Sequence, residues 1–390
     1  MTARAWLFVS LLVASGISRA DPLSVEPWVG LAGEYSSNPY LVSSGEQSVS
    51  DLAVLLRAPF SYVEDSTSMA LNPSFRISDS GAYSSLASNY YRVNGNAQFT
   101  SEIDSLTFTG GLSRDSSLLY NVVANGGIGV RSDSTSAGID WQRALSPRFT
   151  LETASAWTHV IYNEPTISDS LNGYRYLSVT PQLTYTLSER DSVSLSIGGG
   201  RYHTLDGISS SKSWNAQLAF NRALNEVWKF SGSAGYSVSD NSTKFYYGHY
   251  LLGTLDSAQK GPVFSASLNR PGELIATSLS LSRAYIPSGY VFLSRQNTAG
   301  ASVTYTYSER WSLAAASTYQ ETDDALPTGG YASRHAFVNS VSVSWQWTPV
   351  WAVALHANYV QQSYQIPVVI NVQSTGINLM ISRQFYRVDL

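Results

Sequence analysis

The sequence predicts an all-β protein, a transmembrane antiparallel up-and-down β-barrel of about 18 strands. Three observations predict it. Apolar and polar residues alternate with period 2 along most of the chain. Short turn signals recur about every 40 residues, room for two barrel strands of roughly ten residues and a longer loop. The N-terminus has the layout of an export signal.

The export signal comes first in the chain. Thr2-Ala3-Arg4 is a short positive segment, Ala5 to Ala14 is apolar, and Ser18-Arg19-Ala20 offers small residues before a break at Asp21. The expected organisation is a signal peptide over 1–20, a short periplasmic N-terminal segment over 21–27 and a barrel over 28–390. Removing Arg4 and Arg19 takes the net charge from −4 to −6, which argues against nucleic acid as a partner. No apolar stretch after residue 20 approaches the ~20 residues of a membrane-spanning helix.

The strands are read from their alternation. Gln182 to Leu187 reads Q-L-T-Y-T-L, Ser192 to Ile197 reads S-V-S-L-S-I, and Ser340 to Trp347 reads S-V-S-V-S-W-Q-W. Each has one apolar face and one face of Ser, Thr or Gln. Turns fall around Glu64-Asp65, Glu102-Asp104, Leu145-Arg148, Ser188-Arg190, Leu224-Val227, Arg270-Glu273, Ser308-Arg310 and Thr348-Val350. Five of them align residue for residue, from Leu145-Ser-Pro-Arg-Phe to Trp347-Thr-Pro-Val-Trp. Longer polar segments alternate with these turns, among them Ser37–Ser50, Asn163–Gly173 and Asp240–Lys260.

Outer-membrane barrels have short periplasmic turns and long outer loops, so the alternation puts both termini in the periplasm and the long loops outside the cell. Eight turns between nine outer hairpins give 18 strands, with 16 or 20 as alternatives depending on how Asp240–Lys260 folds. A soluble β-propeller also repeats every 40–50 residues, but its blades hold four short strands.

With the apolar parity placed on lipid, a ring of aromatics lies beside the short turns: Trp141, Phe149, Tyr185, Phe220, Trp228 and Phe230, continuing to Trp351. Arg114, Arg131, Arg175, Arg201 and Arg283 share that parity beside the long loops. They are candidate contacts for lipopolysaccharide phosphates, or else simply leave the membrane into water. Arg57, Arg76, Arg92, Arg334, Asp140 and Glu152 fall on the lumen parity. There they would either line an anion path or pair across the barrel wall. A barrel of 16–18 strands is wide enough for an aqueous channel.

Chemistry is sparse. The five histidines have no metal-ligand spacing, there is no cysteine, and no nucleophile elbow is present. No catalytic residue, cofactor or metal is therefore assigned. Gly198-Gly-Gly200 resembles a phosphate loop but ends an alternating strand, where glycine permits a bend.

The opening hairpin, Val29-Gly-Leu-Ala-Gly-Glu-Tyr-Ser-Ser-Asn-Pro-Tyr-Leu41, and the turns at Leu145, Leu187 and Tyr307 resemble the outer-membrane β-barrel porins linked with exopolysaccharide systems of the PEP-CTERM type. That resemblance implies a conduit exporting a surface polysaccharide, with a periplasmic export partner. The alternatives are a general or small-solute diffusion porin, and a non-transport barrel serving as scaffold or adhesin.

Overall fold

The computed structural model describes residues 23–39, 41, 46, 48–78, 89–116, 131–163, 172–247, 250–289, 292–325, 331–366 and 368–389. The signal-peptide reading of residues 1–20 lies outside them, as does the side chain of Arg131.

The described residues are almost all strand. The first part of the chain carries β1 (Leu23–Val25), β2 (Trp28–Ser36), β3 (Val49–Arg57), β4 (Phe60–Glu64), β5 (Thr67–Ser78), β6 (Tyr90–Thr100) and β7 (Asp104–Ser116). The middle carries β8 (Arg131–Ala144), β9 (Phe149–Asn163), β10 (Tyr174–Thr186), β11 (Asp191–Thr204), β12 (Ser209–Ala223), β13 (Lys229–Tyr247) and β14 (Tyr250–Arg270). The last part carries β15 (Ile275–Pro287), β16 (Leu293–Ser308), β17 (Trp311–Ala325), β18 (Tyr331–Gln346), β19 (Trp351–Ile366), β20 (Val368–Gln384) and β21 (Val388–Asp389).

Neighbouring strands pair antiparallel in chain order, and β2 pairs with β20 from Trp28↔Gln384 to Ser36↔Gly376. That last pairing closes the sheet into an 18-strand barrel. Closure gives every long strand a ladder partner on both sides over at least part of its length, as a lipid environment demands of spanning β-structure.

The three short strands extend the ring at its turn-side end. β1 pairs with both β4 and β21, so it continues the position of β2 beyond a break at Glu26-Pro27. β4 continues β3 beyond Ala58-Pro59, and both pair with β5. Proline brings no N–H to the ladder, so each break falls where one bond would be lost anyway. Backbone bonds bridge the breaks, from Glu26 N to Pro59 O at 3.1 Å and from Phe385 N to Pro27 O at 2.8 Å.

All eight short turns lie where the sequence places them. The aligned motif has a physical cause. Its second residue turns its side-chain oxygen back onto the turn and accepts backbone N–H groups. Ser146 Oγ accepts from Arg148 and Phe149, and Ser188 Oγ accepts from Arg190 and Asp191. Asn225 Oδ1 accepts from Val227 and Trp228, and Thr348 Oγ1 accepts from Val350 and Trp351.

The segment 240–260 differs from its reading as a loop. Its described residues, 240–247 and 250–260, are strand, because β13 and β14 pair from Lys229↔Asn269 out to Tyr247↔Tyr250. Its polarity resembles a loop, yet Ser239, Asn241 and Thr243 face inward and are bonded there, with Ser211 Oγ 2.6 Å from Ser239 Oγ on the diagonal.

The two faces follow the alternation. Leu52, Ile77, Phe108, Leu195, Ile197 and Leu218 are exposed on the outward face, as lipid contact requires. Hydroxyl pairs such as Ser113–Ser134 and Thr184–Ser194 join neighbouring strands on the inward face. The aromatics beside the turns cluster outward. Phe149 packs on Tyr185 at 4.7 Å between ring centres, and Trp345 stacks on Trp311 at 5.6 Å and Trp347 at 6.2 Å.

A lumen narrowed by one inward hairpin

Above Phe264↔Arg283 the wall divides. β14 runs on beside β13 to Tyr250, while β15 runs on beside β16 to Pro287. The β15–β16 tip then reaches residues on strands β9 to β11. Tyr202 Oη donates to Ser288 O at 2.8 Å, and Asn172 N donates to Gly289 O at 2.7 Å. Tyr202 alternates with the outward-facing Ile197 parity and is 0% exposed, so this bond lies on the lumen side.

Around that bond is a buried apolar cluster: Val160, Tyr174, Tyr202 and Leu293, with Tyr162, Tyr176 and Tyr285 packed against it. It is the described part of the molecule that most resembles a folded core. The tip crosses to it along the inner faces of β12 to β14. There Ser211, Ser213, Ser237, Ser239, Gly261 and Val263 are buried. These small side chains form a shelf: a Cβ on Gly261 would stand 2.8 Å from the Tyr285 hydroxyl.

Gly198-Gly-Gly200 belongs to the same construction. The run sits inside β11 and gives room to neighbours rather than a bend. A Cβ at Gly200 would lie 2.7 Å from the Tyr176 hydroxyl inside, and one at Gly199 would touch the Trp214 ring outside. None of the tyrosines in this cluster stands out by motif. The available signal was parity, since Tyr174, Tyr176 and Tyr202 occupy the polar, inward positions of their strands.

The expected lumen charges fall in three separate places around the wall. Arg76 is buried and donates to Glu34 Oε2 at 2.7 Å and Asp51 Oδ2 at 2.9 Å. Asn378 Nδ2 donates to the other oxygen of Glu34 at 2.6 Å. Four strands, β2, β3, β5 and β20, therefore meet in one network at the seam where first and last strands join. Arg92 lies 3.6 Å from Asp115, and Arg57 stacks over the Trp28 ring at 4.8 Å. Arg334 is buried on β18. Asp140 and Glu152 share one face on β8 and β9, opposite Ala154 and Gln142. The sequence reading missed Glu34, Asp51 and Asp115, the acids that hold the arginines of β5 and β6.

The outward arginines divide as well. Arg114 makes a two-point contact with Asp133, at 2.7 and 3.0 Å, beneath the Tyr91 ring. Arg283 donates to Asn297 at 2.6 Å and lies over Phe264. Arg175 and Arg201 are exposed. Among the described residues neither belongs to an ion pair.

No protein family and no curated protein matches the sequence. Solved outer-membrane proteins are similar in structure. OpdK from Pseudomonas aeruginosa aligns at TM-score 0.49 and 12% identity, over 94% of this chain and 99% of its own. OccAB3 from Acinetobacter baumannii aligns at TM-score 0.46 and 12% identity, over 93% and 99%. The copper transporter OprC aligns at TM-score 0.46 and 8% identity, over 95% and 82%. The chain is a closed antiparallel β-barrel of 18 strands.

Proposed function

We propose that the protein is an outer-membrane channel for small solutes, its bore set by the inward β15–β16 hairpin. The observation that carries this reading is the Tyr202–Ser288 bond with the tyrosine cluster around it. A barrel of this strand number encloses room for water, and a hairpin laid across the inside narrows it. The wall supplies weak charge bias. Arg76 and Arg92 are met by Glu34, Asp51 and Asp115, so they do not form a continuous cationic path.

Export of a surface polysaccharide requires the same lumen but a wider bore, and it would need the hairpin displaced. The two readings separate in planar bilayers. The folded protein should conduct, and small uncharged polymers should enter while long glycans do not. Replacing Tyr202 and Tyr285 together by Ala should raise the unit conductance, because the tip loses its seat. Absence of conductance in both proteins would overturn the channel reading. Ready entry of long glycans into the unmodified channel would favour the export conduit.

A further inference from the structure

The outward face of β9 to β12 carries a cluster of cations that the channel does not use. Arg175 stands directly opposite His159 on β9 and His203 on β11. Arg201 stands directly opposite Lys212 on β12. Arg175, Arg201, His203 and Lys212 are all exposed. Among the described residues, Arg175, Arg201 and Lys212 take part in no ion pair. The nearest acid in register is Asp240, opposite Lys212 on its other side, so the cluster stays net positive.

Like charges directly opposite on one sheet face, about 5 Å apart at Cβ, destabilise a ladder. This sheet does not avoid the arrangement here, whereas elsewhere on the outward face it does. Arg114 has Asp133 as its cross-strand partner. The height of the cluster is also defined. Two residues along each strand toward the turns, the same face becomes apolar, with Leu177 below Arg175, Gly199 below Arg201 and Trp214 below Lys212. Trp214 is 63% exposed and covers Gly199, as an interfacial aromatic does. The cations thus begin where the apolar band ends, at the level of outer-leaflet headgroups.

We infer that Arg175, Arg201 and Lys212 bind the phosphates of a phosphorylated glycolipid of the outer leaflet, the lipid A part of lipopolysaccharide. The guanidinium forks offer paired N–H donors to phosphate oxygens, and Lys212 adds a point charge. His159 and His203 flank Arg175 and enlarge the donor set. A phosphate lying between Arg201 and Lys212 turns their repulsion into a shared contact.

The test uses the full chain, folded in detergent and checked by heat-modifiable migration. Binding of lipid A carrying two phosphates is measured by native mass spectrometry. The R175Q/R201Q/K212Q variant should bind at least about tenfold more weakly, the equivalent of losing one charge-assisted bond. R114Q should bind as the unmodified protein does. Dephosphorylated lipid A and phosphatidylglycerol should bind weakly, and millimolar inorganic phosphate should not displace lipid A. A second variant guards against misfolding. Arg201→Asp converts the like pair with Lys212 into an opposite pair, and its other register partner is the uncharged Leu177, so it should raise the melting temperature in lipid-free detergent while weakening lipid A binding. Equal binding by the triple variant, equal binding of either control lipid, displacement by free phosphate, or a lower melting temperature for Arg201→Asp would each overturn the inference.

Discussion

At the scale of single residues, the most consequential group is Arg76. Its guanidinium is buried with Glu34 and Asp51, and removing it leaves two carboxylates without their cation in the barrel wall. Breaking a buried pair by deleting one partner costs about 3–5 kcal/mol. Arg76→Met should therefore lower the urea midpoint of unfolding sharply. Adding Glu34→Gln and Asp51→Asn should restore most of it, since the stranded charges are then gone. A midpoint unchanged in Arg76→Met would show that the network does not hold the seam. The inward parity of Arg76 is legible in Phe75-Arg76-Ile77, where one charge interrupts an apolar alternation. Its partners are not legible, because Glu34 and Asp51 come near only when β2 pairs with β3 and β3 pairs with β5.

At the scale of elements, the turns and the β15–β16 tip show what local sequence can and cannot settle. The turns are decided within four residues. Ser188 alone satisfies two N–H groups of its turn, so the sequence carries the instruction where it is used. Ser188→Ala should cost about 1 kcal/mol, the net worth of a typical hydrogen bond, and Ser188→Asn should recover most of it. Equilibrium unfolding of the two variants side by side measures this; equal losses in both would rule out the side-chain bond as the cause. The tip has no such local instruction. Ile286-Pro287-Ser288-Gly289 reads as an ordinary strand end followed by a turn. It lies inward because Tyr202, 86 positions away in the chain, offers a hydroxyl, and because Gly261 leaves space for Tyr285. The reading of 240–260 as a loop failed for a related reason. Polarity there reports a strand with an exposed outward face and a buried, hydrogen-bonded inward face, and composition does not distinguish that from irregular chain.

At the scale of the whole molecule, strand number was legible because it depends on counting and parity. A regular alternation of short and long connections survives errors of one or two residues at any boundary. The bore was not legible, since it depends on one hairpin among nine. The channel reading belongs at this scale too. If the tip sets the bore, the Tyr202/Tyr285 double variant should raise conductance without changing ion selectivity, because the charges of the wall stay in place. A change of selectivity at constant conductance would assign the limiting position to the wall instead of the tip.

The division of β14 from β15 has a mechanical consequence. Their ladder runs only from Arg270 to Phe264. At about 3.4 Å per residue and a tilt near 40°, that is about 18 Å of wall, less than an apolar band about 25 Å tall. The longer ladder of β17 and β18 runs from Trp311 to Ala325. A ring under thermal load parts at its shortest zipper, so unfolding should begin between β14 and β15, and amides of β15 should exchange with solvent before those of β17. The chain has no cysteine, so a single pair can be introduced cleanly. A disulfide between Ser265→Cys and Ser282→Cys, which are register partners, should slow unfolding. One between Ala316→Cys and Ser340→Cys should not. The hairpin that narrows the lumen thereby fixes where the barrel is easiest to unzip.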